Sequence, residues 1–223
     1  MEAIALPAPD TTGTVPFEET LGQRRSVRAF GPDPLSLDEV SQLLWAAQGV
    51  TGPEKERTAP SAGATFPIEL YVVAGAVQGM PSGVFKYHPI GHLLEPVASV
   101  VKAASADPES RSRRGAAAPF DVRPDLVRAT GEQEFIGAAP LVIAVAAVRG
   151  RTRNLYGERA VRYVDMEAGA VLQNAALQGV ALGLGSVVVG AFKDEEVKQI
   201  LGIDGQERFL AMLVVGRPGG QER

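Results

Sequence analysis

Apolar positions in this chain fall into short periodic runs separated by stretches rich in glycine and proline. Phe17 and Leu21 are four apart and predict a short helix ending near Gln23–Arg25, after which Ser26–Phe30 alternates like an extended segment. Ser36 and Glu39 have capping-box spacing, Val40, Leu43, Leu44 and Ala47 follow as one apolar stripe, and Gly49 ends the helix. Ile68–Ala74 predicts a strand, and Val84–His88 and Leu93–Val97 flank Pro89-Ile90-Gly91 as a hairpin. Leu141–Val148 reads as a buried strand. Asp165–Leu182 predicts a helix rich in small residues (Ala168, Gly169, Ala170, Ala175, Ala176, Gly179), packed on more than one side. A strand at Val187–Gly190, a helix at Asp194–Leu201 stopped by Gly202, and a strand at Phe209–Val215 complete the pattern. Helices and strands in this mixed order, with one hairpin and no repeat, favour an α+β fold over a βαβ array.

Three stretches lack such periodicity. Residues 1–16 are rich in Pro, Thr, Gly and Ala and read as a mobile arm or one that orders on a partner. Residues 50–67 read as an ordered loop. Residues 103–134 carry Ala, Ser, Arg, Asp and Pro with few large apolar side chains, and predict a variable, partly helical, mobile insertion. With no convincing linker, residues 17–223 are expected to form one domain.

Composition narrows the chemistry. Lys plus Arg number 22 and Asp plus Glu 26, so the net charge is 22 − 26 = −4. That balance offers no field for a phosphate backbone, so a nucleic-acid partner is not expected. The absence of cysteine removes disulfides, thiolate metal sites and thiol nucleophiles, and is compatible with a cytoplasmic setting. The N-terminal sequence lacks signal-peptide features, and no apolar run reaches the roughly 20 residues of a bilayer span, so no membrane role is expected. No P-loop and no nucleophile elbow is present; Gly183-Leu184-Gly185 precedes a strand instead of following one, against a dinucleotide fingerprint. His88 and His92 straddle the hairpin turn and read as surface residues, with Glu95 alone as a third ligand; no metal site is expected.

Four segments could carry chemistry, and each also has a plainer reading. Arg24-Arg25-Ser26-Val27-Arg28 offers planar guanidinium forks and a hydroxyl, which suits a phosphomonoester, or equally a solvated basic helix end. Pro60-Ser61-Ala62-Gly63 is small enough for close backbone approach to a flat ligand, or is an ordinary connection. Val189-Gly190 ends a strand where a bare N–H could meet a ligand, or simply turns. Arg217 is a second anion contact or a solvated terminal arginine.

Taken in order, "RRSVRAF", "RTAPSAGATFPIELYVV", "GVFKYHPIGHLLEPV", "YGERAVRYVDMEAGAVLQNAALQGVALGLGSVVVGAF" and "LVVGRP" resemble the SagB-type dehydrogenase branch of the nitroreductase superfamily, over about residues 17–218. The resemblance implies a nitroreductase-like α+β homodimer, a central mixed sheet flanked by helices, with FMN at the interface touched by both subunits. It implies that Arg24, Arg25, Ser26 and Arg28 meet the phosphate and ribityl groups, Arg28 also reaching toward the N1/O2 edge. Pro60, Ser61, Ala62 and Gly63 would come from the other subunit, Val189 and Gly190 would face flavin N5, and Arg217 would return to the phosphate. NAD(P)H is the implied electron donor, ping-pong hydride transfer the implied mechanism, and residues 103–134 a lid that sets substrate choice. Azoline-oxidising members carry a Lys-Tyr pair where this chain has Leu155-Tyr156, which leaves Tyr156 as the proton-handling candidate. The expected reaction is therefore reduction of a small electron-poor compound. The alternatives are azoline oxidation on a modified peptide and a non-catalytic flavin-binding subunit of a biosynthetic complex.

Overall fold

A computed structural model describes residues 1–98, 100, 121–203 and 205–220. Seven strands form one sheet: β1 (Ile4–Ala5), β2 (Ile68–Ala74), β3 (Gly83–His88), β4 (Leu93–Pro96), β5 (Leu141–Ala147), β6 (Gly185–Val189) and β7 (Arg208–Gly216). Their spatial order is β1-β4-β3-β2-β5-β7-β6, and every neighbouring pair is antiparallel. The central strands β2 and β5 are apolar without alternation because both faces are covered. Leu70, Val72 and Ala74 meet one core with Ile143, Val145 and Leu213, while Tyr71 and Val73 meet the other with Val142, Ala144 and Met212.

The first face carries α2 (Leu37–Gln48) and the long α6 (Ala160–Ala181). Helix α2 starts with the expected capping box, Glu39 N–H donating to Ser36 Oγ at 3.1 Å and Ser36 N–H to Glu39 Oε2 at 2.8 Å. α1 (Phe17–Gln23) packs on α6. The second face is covered by α3 (Arg123–Ala129), α4 (Phe135–Ala138) and α7 (Asp194–Leu201), through Leu126, Ile136, Val197 and Leu201. No described helix is long and apolar enough to cross a membrane.

Several expectations are corrected. Helix α6 starts at Ala160, five residues before the expected Asp165, after a single 3-10 turn at Gly157–Arg159. An additional helix, α5 (Arg149–Tyr156), precedes it; it is charged, with only Thr152 buried, and so shows no apolar stripe in sequence. The predicted lid at 103–134 falls mostly outside the described residues. Its described end is α3, whose Leu126, Val127 and Ala129 are buried in the second core, as a lid would not be.

The arm at residues 1–16 is also tied down instead of free. β1 pairs with β4, Leu6 is buried, and Asp10 N–H donates to Gln42 Oε1 at 2.8 Å. At its centre stands His92, which is not the surface residue the turn suggests. Ser41 Oγ donates to the Pro7 carbonyl at 2.6 Å and lies 2.6 Å from His92 Nε2, while Tyr87 Oη lies 2.8 Å from Nδ1. With the Ser41 hydrogen committed to Pro7, His92 Nε2–H donates and Nδ1 accepts from Tyr87, so this arrangement needs the neutral ring.

Burial pushes the His92 pKa below its ordinary 6.5, opposed by the Pro7 carbonyl. The folded chain therefore takes up this proton less readily than the unfolded chain. This contribution to stability is complete above the unfolded value and is lost as pH falls below it, through the folded value. Thermal melts from pH 8 to pH 5 are expected to fall off below about pH 6.5. His92→Gln should be less stable by about 1 kcal/mol at pH 8 and should lose the His92 part of that slope.

Candidate functional site

The guanidinium segment docks along the edge strand of the sheet. Ser26 forms a parallel bridge with Ser186 in β6, and Val27 N–H donates to the Ser186 carbonyl at 2.9 Å. The chain then runs beside the C-terminus: Gly31 N–H donates to Arg217 O at 2.9 Å and Gly219 N–H to Ala29 O at 2.8 Å. Close approach depends on Gly185, where an added Cβ would lie 2.8 Å from Val27 Cβ. Arg25, Ser26 and Arg28 are exposed and Arg24 is half-buried. Among the described residues, no carboxylate pairs with Arg24, Arg25 or Arg28; Arg25 only turns back onto the Gly22 and Arg24 carbonyls.

β6 carries this edge to Gly190. Val189 is buried with its side chain in the second core, Val188 faces outward, and Gly190 is exposed with nothing within 4 Å of where a Cβ would stand. The bridge at Ser186 lies four residues before Gly190, so the basic segment and the open strand end share one edge. Arg217 adjoins the same segment, but its guanidinium pairs with Glu39 at 2.7 Å, at the start of α2. Its charge is thus already partly neutralised.

The Pro60–Gly63 loop lies elsewhere in the protomer. It lies between the end of α2 and β2, a stretch with Gly63 at φ 59° and three non-glycine residues at positive φ, Lys55 at 68°, Ala64 at 51° and Phe66 at 43°. Thr58 N–H donates to Gly49 O at 3.0 Å, Thr58 Oγ1 to Trp45 O at 3.1 Å, and Asn174 Nδ2 of α6 to Thr58 O at 3.2 Å. α5 holds the far end: Thr65 and Thr152 hydroxyls are 2.8 Å apart, and Arg151 donates to Phe66 O at 2.7 Å while pairing with Glu69 at 2.6 Å.

Tyr156 ends α5 directly over this loop. A Cβ added to Gly63 would come within 2.7 Å of Tyr156 Oη. The ring also stands edge-on to Tyr163 of α6 at 5.0 Å. The structure therefore groups Tyr156 with Pro60–Gly63, and separately Arg24–Arg28 with Val189, Gly190 and Arg217. The 3-10 turn at Ala62–Ala64 packs on α6, while the basic segment docks on β6, which begins at Gly185 after that helix has ended.

A buried polar cluster behind the loop is absent from the sequence reading. Gln48 and Glu167 are 2% and 4% exposed, and Arg57 donates to Gln48 O at 3.1 Å while its guanidinium sits 5.1 Å from the Phe66 ring. Burial pushes the Glu167 carboxyl above its ordinary 4.5, while Ser61, Gln48 and Arg57 pull it back down. Burial likewise lowers the Arg57 pKa, opposed by Tyr87, Glu69 and Glu167. The residues are far apart in sequence, but one signal was available. Glu167 falls on the buried stripe of α6 between Val164 and Val171, at helical spacing. Among the described residues no group of three or more His, Cys, Asp or Glu could hold a metal ion, and His88 pairs only with Glu95, at 2.8 Å.

The whole chain is similar to known proteins. The Nitroreductase family model matches residues 21–217. A protein of Methanocaldococcus jannaschii named as a candidate nitroreductase is 41% identical over 203 residues, 91% of each chain. The crystal structure of a candidate nitroreductase from Ralstonia eutropha superposes with a TM-score of 0.78 at 31% identity, covering 99% of this chain and 91% of that one. The fold extends to the NADPH:FMN oxidoreductase of Vibrio harveyi, at a TM-score of 0.60 and 16% identity over 92% of this chain and 69% of the other. The chain therefore belongs to the nitroreductase family.

Proposed function

We propose that this chain is an FMN-dependent oxidoreductase of the SagB-type branch, working as a homodimer and passing hydride by a ping-pong route from NAD(P)H to a small electron-poor acceptor. The observation that carries this reading is the set of three guanidiniums with no carboxylate partner among the described residues, on a segment docked on the strand that ends at the open Gly190. Unpaired cations beside a bare backbone suit a ligand with a phosphate at one end and a flat ring at the other. FMN would supply hydride acceptance and donation at its ring.

The chain's own residues hold and orient. Arg24, Arg25, Ser26 and Arg28 would bind the phosphate and ribityl groups, with Arg28 also reaching the ring edge where negative charge accumulates. Arg217 would contribute less, since Glu39 shares its charge. Val189 and Gly190 would lay backbone against the ring. Pro60, Ser61, Ala62 and Gly63 would meet the same ring from the second subunit, with Tyr156 behind them to hold or pass a proton.

Among the described residues, the hydrogen bonds and bridges of the basic segment run to β6 and the C-terminus and those of the Pro60–Gly63 loop do not join them, which suits a homodimer in which the two groups come from different chains. An antiparallel pairing of two α6 helices about a two-fold axis would set the loop of one chain beside the arginines of the other. Exposed apolar side chains at both ends suit such burial: Phe17 and Leu21 near one group, Leu155, Val161 and Met166 near the other. Azoline oxidation is the weaker reading. Leu155, at the position of the lysine, is 65% exposed and carries no proton.

The purified protein should be yellow, and anaerobic NADH or NADPH should bleach the flavin bands. A colourless protein that takes up no added FMN would contradict the reading and favour a non-catalytic subunit. Arg28→Ala should weaken FMN binding at least tenfold, about the contribution of one charge-assisted bond, measured by quenching of flavin fluorescence. Tyr156→Phe should leave FMN content unchanged and lower turnover roughly ten- to a hundredfold, the loss expected for a proton-handling group. An unchanged rate would remove Tyr156 from the chemistry.

A further inference from the structure

Helix α5 has little apolar reason to lie where it does. Thr152 alone of its residues is buried, so polar contacts must mount it on the protein. Two of those contacts come from adjacent residues, and both end on the loop. The Thr65 hydroxyl donates to the Ala62 carbonyl at 3.0 Å, so its one hydrogen is spent and the Thr152 hydroxyl, 2.8 Å away, is the donor between the two. Arg151 Nη1 donates to the Phe66 carbonyl at 2.7 Å.

Phe66 needs that partner. It sits at φ 43°, a backbone shape that side chains rarely adopt. Its N–H turns back to Ser61 Oγ at 2.9 Å, and no backbone N–H among the described residues donates to its carbonyl. The pairing of β2 with β5 reaches only to Pro67, whose carbonyl accepts from the Val148 N–H at 2.8 Å. Arg151 supplies the bond that the sheet does not.

Arg151 is in turn held from behind. Its Nη2 lies 2.6 Å from Glu69 Oε1 of β2. Glu69 Oε2 lies 3.2 Å from Lys86 Nζ of β3. Lys86 reaches Glu207 at 2.7 Å, and Glu207 also accepts from the Tyr71 hydroxyl at 2.9 Å. Two carboxylates and two cations thus alternate from the start of β7 to α5. The Glu69 side chain is 14% exposed and that of Arg151 45%, so the fixed end of this row lies inside and Arg151 reaches outward from it. A carboxylate with both oxygens engaged holds the planar guanidinium in one orientation.

We propose that Arg151, oriented by Glu69, is the positioning residue that joins the Pro60–Gly63 loop and Tyr156 into one unit. The proposal rests on the flavin reading above, in which both would face the ring. Tyr156 ends the helix five residues after Arg151, so the bonds that seat α5 on the loop also set where the Tyr156 hydroxyl stands over Gly63. In this role Arg151 touches neither flavin nor substrate and acts through the Phe66 carbonyl and Tyr156.

Arg151→Met keeps the length of the side chain without its donors, and Glu69→Gln removes the charge that orients it. In the flavin-free protein, hydrogen exchange at the Phe66 amide should quicken about tenfold in Arg151→Met and about threefold in Glu69→Gln. The double variant should exchange no faster than Arg151→Met, because Glu69 acts through Arg151. The melting temperature of Arg151→Met should stay within about 3 °C of wild type, since the pair is partly solvated. At saturating FMN, Arg151→Met should lower kcat about tenfold, and should lower it no further in a Tyr156→Phe background. Unchanged exchange in Arg151→Met, or additive effects in the double variant, would overturn the proposal. A large fall in melting temperature with exchange quickened throughout the chain would also overturn it, by showing a general prop. An equal loss of kcat in the Tyr156→Phe background would contradict the link to Tyr156. If Arg151→Met does not fold, Glu69→Gln decides, since an unchanged Phe66 amide there contradicts the orienting role. Failure of the wild-type protein to take up FMN would refute the flavin reading instead, and the exchange result would still decide whether Arg151 holds the loop.

Discussion

Val27 rests against a backbone that has no side chain to hold it off. A Cβ on Gly185 would fall 2.8 Å from Val27 Cβ, closer than packed carbons tolerate, so the residue before Ser186 must be glycine for the basic segment to dock. The consequences spread along the sheet edge. The Val27 N–H reaches Ser186, and the Gly31 and Gly219 N–H groups complete the lacing of residues 27–31 to the C-terminus. An edge strand that would otherwise offer open backbone groups is covered in part, and beside it stand the half-buried Arg24 and the exposed Arg25 and Arg28, none paired with a carboxylate among the described residues. Arginines held in this way by backbone bonds need little rearrangement to receive an anion.

α6 acts as the ruler for the rest. Its small residues let it lie close to the sheet and α2, Gly179 coming near Leu43. The exposed Gly169, with open space where a Cβ would be, leaves the outward face of the helix low at mid-length. That shape agrees with a second copy packing across it.

Much of this was legible where local chemistry dictates structure. The capping box at Ser36 and Glu39, the hairpin around Gly91, the left-handed Gly202 ending α7 and the largely apolar β2 each depend on near neighbours, and each is found. What escaped was set by distant partners. The arm has no periodicity, yet it is anchored because His92, 85 residues from Pro7, has a ring that reaches its carbonyl. α5 is a helix of Arg, Thr and Asn held by Thr65, Phe66 and Glu69, none of which its own sequence announces. The sequence offered Arg217 as an anion contact or a solvated arginine and missed that Glu39, already serving the α2 cap, pairs with it. Glu167 was visible only as a polar break in an apolar stripe.

The account's central claim is that each flavin site is completed by two chains, arginines from one and the Pro60–Gly63 loop from the other. A mixed dimer of one Arg28→Ala chain and one Gly63→Val chain tests it most directly, since each homodimer of these variants should bind FMN poorly. Flavin counted per purified mixed dimer should be close to one, because one of the two sites draws both of its halves from unaltered segments. Flavin no higher than in the two variant homodimers would mean that each site lies within a single chain, and would contradict the account.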